Sequence, residues 1–219
     1  MEKNFQNKVV LVTGAGRGLG RAISLAFARQ GARAAVNDLT PVNLDKTVEL
    51  IHVEGGQVRD YVYDIAKKMP AQALVQQILD DWERIDILVN NAGVAPKEAL
   101  LDLGEWEWQR SLDVNLSGPF FLMQAVGRMM RQQSGGVIVN LGASQKYLQS
   151  TLVSVALSAG KTGLVGLTKA AALELAPYHI RVNAVCPGNV ETHKVVSQIL
   201  YLCGPQAAAI TGQVIEIDH

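Results

Sequence analysis

Seven short runs of apolar and β-branched residues recur along the chain: KVVLVT (8–13), ARAAVN (32–37), QVRDYVYD (57–64), IDILVN (85–90), GVIVNL (136–141), IRVNAV (180–185) and GQVIEI (212–217). Most read as nearly continuous apolar segments rather than strict alternations, the pattern of strands covered on both faces. Longer stretches with helical spacing separate them. One runs from Gly18 to Gln30 and closes before Gly31, one follows Pro70 and closes between Asp80 and Arg84, and one runs from Ser154 to Leu175 ahead of Pro177. A further stretch from about Leu112 to Gln133 carries Gly118 and Pro119 early, which predicts a kink in its first turns. Strand and helix in alternation predict an α/β fold: a doubly wound parallel sheet of about seven strands with helices on both faces. No internal repeat or linker interrupts the pattern, so residues 1–219 read as one domain.

Composition narrows the function classes. With 48% hydrophobic residues in 219, the chain can bury one sizeable core. Twenty basic residues balance twenty acidic ones, so no net field gathers nucleic acid or an anionic membrane, and the expected partners are a small molecule or another protein. Cys186 and Cys203 stand alone, without metal-like or CxxC spacing, which suits a reducing compartment and argues against a disulfide framework. The polar start MEKNFQNK has no secretory core and no apolar run reaches spanning length, so a soluble, cytoplasmic protein is expected. His52, His179, His193 and His219 are scattered, with no carboxylate or cysteine at ligand spacing, and no metal is expected.

Candidate chemistry begins after the first run, where VTGAGRGLG places Gly14, Gly16, Gly18 and Gly20 between a strand and a helix. Glycines let backbone N–H groups approach a pyrophosphate while the helix N-terminus supplies partial positive charge. Strict GxGxxG spacing would need glycine where Leu19 stands, and the pattern is instead TGxxxGxG through Thr13, Gly14, Gly18 and Gly20. Asp38 closes the second run, 18 residues after Gly20, where a carboxylate accepts hydrogen bonds from an adenosine ribose and repels a 2′-phosphate. The pairing predicts a Rossmann-type site for NAD rather than NADP, with Arg17 as the cation in the same turn that could reach such a phosphate.

With NNAG (90–93), DVN ending at Asn115, KTGLVGLTKA from Lys161, RVNAVCPG (181–188) and TGQVIEID near the end, the sequence resembles the short-chain dehydrogenase/reductase family, in its 3-oxoacyl reductase-like branch. The resemblance implies that Gly14, Arg17, Gly18, Leu19, Gly20 and Asp38 hold the adenosine and pyrophosphate. It implies that Asp64 and Ile65 flank the adenine, that Asn91, Ala92 and Gly93 line the centre, and that Pro187, Gly188 and Val190 border the nicotinamide. Lys161 would bind nicotinamide-ribose hydroxyls, and Asn115 would help to hold a proton-relay water. Read alone, Asn115 is equally a helix-bending side chain bonded to backbone.

The family's chemistry needs a serine after the fifth strand and a tyrosine four residues before the lysine, whose hydroxyl transfers the proton while the cofactor carries the hydride. Here Leu157 occupies the tyrosine position. Counting from Asn140 puts Ala143 at the serine position, and counting back from Leu157 puts Ser144 there. Tyr147 is the only tyrosine of that loop, ten residues before Leu157. Beyond CPGNVETH the resemblance implies a substrate lid of some tens of residues, and the segment from Lys194 instead reads directly into the helix before the last strand, so the lid is expected to be missing near 193–194. Two readings follow. One is an oxidoreductase on a secondary alcohol or ketone, including 3-oxoacyl or 3-hydroxyacyl thioesters, using Ser144, Lys161, Asn115 and a water or Tyr147. The other is a catalytically silent, cofactor-binding subunit that scaffolds or regulates an active relative in a homo- or hetero-oligomer, dimer or tetramer, through the helices at 112–133 and 154–175.

Overall fold

Each apolar run becomes a strand of one parallel sheet in the computed structural model, which describes residues 4–150 and 153–218. In chain order the elements are β1 (Val9–Thr13), α1 (Gly18–Arg29), β2 (Arg33–Asp38), α2 (Pro41–Val53), β3 (Gln57–Val62), α3 (Lys68–Trp82), β4 (Ile87–Asn90) and α4 (Glu105–Leu112). A π-helical turn, Asp113–Ser117, leads into α5 (Gly118–Gln132), followed by β5 (Gly136–Leu141), α6 (Gln145–Leu148), α7 (Val155–Leu175), β6 (Ile180–Pro187), α8 (Thr192–Cys203) and β7 (Val214–Ile217). The strand order is β3-β2-β1-β4-β5-β6-β7, every pair parallel. The order reverses between β1 and β4, and in an open sheet of this kind a crevice forms there, outside the carboxyl ends of the strands.

Side chains on successive strand residues point to opposite faces, and the core divides accordingly. Val10 and Val12 pack with Ile23 and Phe27 of α1, Leu44 and Ile51 of α2, and Ile199 of α8. Val9 and Leu11 pack on the other face with Leu74 and Ile78 of α3 and Leu122 and Val126 of α5. Each such side chain contributes roughly 1.5–3 kcal/mol on full burial. Across the middle of the sheet runs a polar ladder: Asn90 donates to Asn140 (2.8 Å), whose own amide donates to Thr168 of α7 (2.9 Å).

Two helix features of the sequence reading take a specific form in the structure. The bend in the stretch 112–133 is a π-helical turn placed before Gly118, while Pro119 sits in the first turn of α5, where its missing N–H has no partner to lose. α3 ends at Trp82, within the expected range of Asp80 to Arg84, and Glu83 closes it in the left-handed conformation (φ 64°). At the far end only residues 188–191 connect β6 to α8.

Candidate cofactor and catalytic site

A cleft of about 380 Å³ opens at the switch point, over the turn after β1 and the ends of β2, β3 and β4. Gly14 (φ 63°) and Gly18 (φ 53°) adopt the left-handed backbone that glycine permits. A Cβ on Gly20 would lie 2.1 Å from the Gly14 carbonyl oxygen, so glycine is what lets α1 fold back onto its own turn. Above Gly18 nothing lies within 4 Å of a Cβ position, and no side chain caps the start of α1. The first turn of α1, Gly18 to Gly20, thus borders the cleft with N–H groups that no side chain caps, and a helix N-terminus of this kind favours an anion.

Asp38 is fixed at the rim. Its Oδ2 accepts the Gly16 N–H (3.0 Å) and its Oδ1 the Thr40 N–H (3.1 Å), and each carboxylate oxygen keeps a further acceptor site. Arg17 is exposed and borders the same cleft, as do Leu19, Asp64, Ile65, Asn91, Ala92 and Gly93. The floor is stitched by Thr13, whose hydroxyl accepts the N–H groups of Asn91 and Ala92 at 3.0 Å each, while the Asn91 amide donates back to the Thr13 carbonyl at 2.8 Å. Asp64 accepts the Ala66 N–H (3.1 Å) and pairs with Arg110 of α4 (3.3 Å). Sequence reasoning missed Arg110, and its partner 46 residues away gave no local signal.

Past Gly93 the site changes character. Asn115 is fully buried in the π-helical turn; its amide donates to Val94 O (2.7 Å) and Ser111 O (2.9 Å), and its Oδ1 accepts the Val94 N–H (3.4 Å). It thus ties the loop after β4 to the helix. Lys161 of α7 is 7% exposed, and its Nζ donates to Leu141 O at 2.6 Å. Burial pulls its ammonium down to about 8, against a smaller upward pull from Cys186. One turn earlier Leu157, 8% exposed, presents only hydrocarbon.

The serine expected to face a substrate is engaged elsewhere. Ser144 is fully buried; its hydroxyl donates to Asp218 (2.9 Å) and accepts the Tyr147 N–H (3.2 Å), capping α6. Asp218 and Ser144 both crowd Gly188, where a Cβ would lie 1.9 Å from the Asp218 carboxylate and 2.8 Å from the Ser144 hydroxyl. This contact has a plain cause: Asp218 is 74 residues away, and the pairing of β7 with β6 brings it there. Tyr147 is partly exposed on α6, and its phenol makes no hydrogen bond among the described residues. Pro187 closes β6 and Gly188 and Val190 follow it, with Gly188 N–H bonded to Ile217 O (2.9 Å) and Val190 N–H to Gly188 O (3.0 Å).

Cys186 and Cys203 are free and buried, and burial pushes their thiols up to about 11 and about 12. Among the described residues no cluster of three or more His, Cys, Asp or Glu side chains is arranged to hold a metal, and no helix is long and apolar enough to cross a membrane. His219 lies outside the described residues.

Residues 8–199 match the short chain dehydrogenase family, and the chain belongs to it. Its members are oxidoreductases that use nicotinamide cofactors on small molecules and are commonly oligomeric. The chain is 34% identical to a 3-oxoacyl-[acyl-carrier-protein] reductase of Thermotoga maritima over an alignment of 240 residues, covering 98% of this chain and 97% of that one. That span exceeds the 219 residues present here, so part of the relative has no counterpart. It is 40% identical to the (2S)-[(R)-hydroxy(phenyl)methyl]succinyl-CoA dehydrogenase subunit BbsD of Thauera aromatica over 86% of this chain and 75% of that one. A crystal structure of a short-chain type dehydrogenase/reductase from Mycobacterium marinum superposes with a TM-score of 0.94 at 29% identity, over 99% and 96% of the two chains.

Proposed function

We propose that this chain is an NAD(H)-binding short-chain dehydrogenase relative that has lost its proton-transfer step and serves as a silent subunit beside an active relative. The observation that carries the reading is the contrast between a complete adenosine–pyrophosphate cradle and a catalytic face with Leu157 in front of the buried Lys161. Asp38 accepts the ribose hydroxyls and disfavours a 2′-phosphate; the N–H groups after Gly18 take the pyrophosphate; Lys161 serves the second ribose. When bound, the dinucleotide supplies or accepts a hydride. Leu157 can neither give nor take the accompanying proton, and the Ser144 hydroxyl is already engaged by Asp218. Residues 188–191 are too few to form a cover over this face, consistent with a lid missing near 193–194.

A homologous partner is supported by the helices. Phe120 of α5 is exposed and, with Leu167 and Ala171 of α7 and Tyr178 just beyond it, lines a groove between the two helices, and one relative is itself named as a subunit of a dehydrogenase. The second reading, a slow oxidoreductase on a secondary alcohol or ketone such as a 3-oxoacyl thioester, is favoured by one observation: the partly exposed phenol of Tyr147 on α6 after β5, which makes no hydrogen bond among the described residues.

Titrating NADH by fluorescence and following its oxidation by a small activated ketone separates the two. The silent reading expects binding without turnover, and a gain of roughly 10²–10⁴ in rate for Leu157→Tyr, the usual worth of a general acid. Brisk turnover by the unaltered chain that Tyr147→Phe abolishes would replace it with the second reading.

A further inference from the structure

The amino ends of the strands, at the other end of the sheet from the crevice, gather a second set of charges. Lys8 precedes β1, Arg84 and Asp86 precede β4, and His179 and Arg181 stand on either side of the first residue of β6. Two cavities of about 530 and about 330 Å³ open there, and both have Lys8, His179, Arg181 and Cys203 in their walls. Among the described residues Asp86 is the one carboxylate that lines either.

Asp86 is already satisfied. It accepts Lys8 Nζ (3.1 Å), the Val9 N–H (2.9 Å) and two nitrogens of Arg84 (2.6 and 2.9 Å). Arg181 has no such partner. Its Nη1 donates to the carbonyls of Leu202 (2.8 Å) and Ile210 (3.2 Å), which answers the partial negative charge at the end of α8. Its Nε and Nη2 make no hydrogen bond among the described residues and stay open to solvent, and it takes part in no ion pair there. Burial pulls the guanidinium below its ordinary 12.5, with Cys203 acting the other way. A half-buried cation without a counter-charge is costly to hold, and a bound anion offsets that cost.

Three cations, Lys8, Arg84 and Arg181, against the single Asp86 leave a surplus of two positive charges with His179 neutral. That surplus suits a phosphate dianion better than a monocarboxylate. An arginine fork beside a lysine is also a common donor set for phosphate oxygens, and the exposed Ser134 and His179 bring further donors to the rim. We propose that the cavities around Arg181 form a site for the phosphate group of a small molecule, held by Nε and Nη2 of Arg181 and by Lys8. The site shares no residue with the dinucleotide crevice and does not depend on the cofactor reading.

Calorimetric titration of the full chain with inorganic phosphate and with glycerol phosphate tests this, at about pH 8, where the phosphate group is doubly ionised, and at constant ionic strength set with sodium chloride. Each titration is run with and without NADH. Binding should be unaffected by NADH and weakened about tenfold or more by Lys8→Met and by Arg181→Gln, the worth of one charge-assisted bond. Lys8→Met leaves Asp86 its bonds from Arg84 and Val9, and an unchanged circular dichroism spectrum verifies its fold should Arg181→Gln be unstable. Tighter binding of glycerol phosphate makes the ligand a phosphate monoester, and tighter binding of the inorganic ion makes it free phosphate; either supports the site. No binding of either, binding that a folded Lys8→Met leaves unchanged, or binding that NADH displaces overturns it.

Discussion

Replacing Lys161 with methionine should make the ligand-free protein more stable at neutral pH. The amine falls from its ordinary 10.5 to about 8 in the fold, and at about 1.4 kcal/mol per unit the folded state bears a penalty of roughly 3 kcal/mol for keeping it charged. Methionine retains most of the apolar stem and removes the charge. It also strips the Leu141 carbonyl of the 2.6 Å bond, at a cost of about 1–2 kcal/mol. The net gain is then about 1–2 kcal/mol near pH 7. The sign with pH follows from the depressed value: between about 8 and 10.5 the unfolded chain binds the proton that the folded one has released, so wild-type stability rises through that window. The advantage of the variant is greatest below about pH 8, vanishes between about 8 and 10.5, and above that reverses by the roughly 1–2 kcal/mol of the lost hydrogen bond. Urea midpoints of both proteins across this range measure it, and their difference cancels the opposite trend set by the raised thiols of Cys186 and Cys203. A variant less stable by more than about 1 kcal/mol at pH 7, or a pH-independent gap, would refute an unfavourably buried charge.

Three further outcomes are expected. NADH should bind at least about tenfold more tightly than NADPH, a difference of about 1.4 kcal/mol, and Asp38→Ala should narrow it; equal affinities in competing fluorescence titrations would remove Asp38 from the site. Gly20→Ala should lower thermal stability by about 1–3 kcal/mol, because the new methyl lies 2.1 Å from the Gly14 carbonyl and 2.5 Å from the Asn91 amide; an unchanged melting temperature would contradict that packing. Burial pushes the Asp86 carboxyl up, but Arg84, the Val9 N–H and Lys8 outweigh it and hold it below its ordinary 3.8, so its contribution is present above about pH 4 and lost as pH falls through the folded value. Asp86→Asn should flatten the acid limb of urea midpoints, and an unaltered limb would count against the network.

The fold was legible because most strands, β1 and β4 above all, are buried on both faces and so carry a nearly unbroken apolar signature; β5 begins and ends where GVIVNL does, at Gly136 and Leu141. The glycine turn with Asp38 at its rim was legible for a related reason, since all of it lies within one βαβ unit, where Asp38 accepts the Gly16 N–H and a Cβ on Gly20 would strike the Gly14 carbonyl. What escaped was set by distant pairings. Nothing local to Ser144 announces that its hydroxyl will meet Asp218, nor does Asp64 announce Arg110. Asn115 falls between: the helix-bending reading describes its bonds to Ser111 and Val94, and the π-helical form of the bend emerges only from those bonds.

The polar ladder from Asn90 through Asn140 to Thr168 bears on how the chain finds its fold rather than on what it binds. A parallel sheet of valines, isoleucines and leucines is almost indifferent to sliding, because one aliphatic neighbour substitutes for another at little cost. These amides are not interchangeable. A slip of β4 against β5 by a single residue would send Asn90 to the opposite face and leave a fully buried amide facing hydrocarbon, at about 1–3 kcal/mol for each stranded group. The ladder thus works as a key cut into an otherwise smooth surface, making misaligned sheets self-defeating and keeping the strand ends that frame the crevice in step.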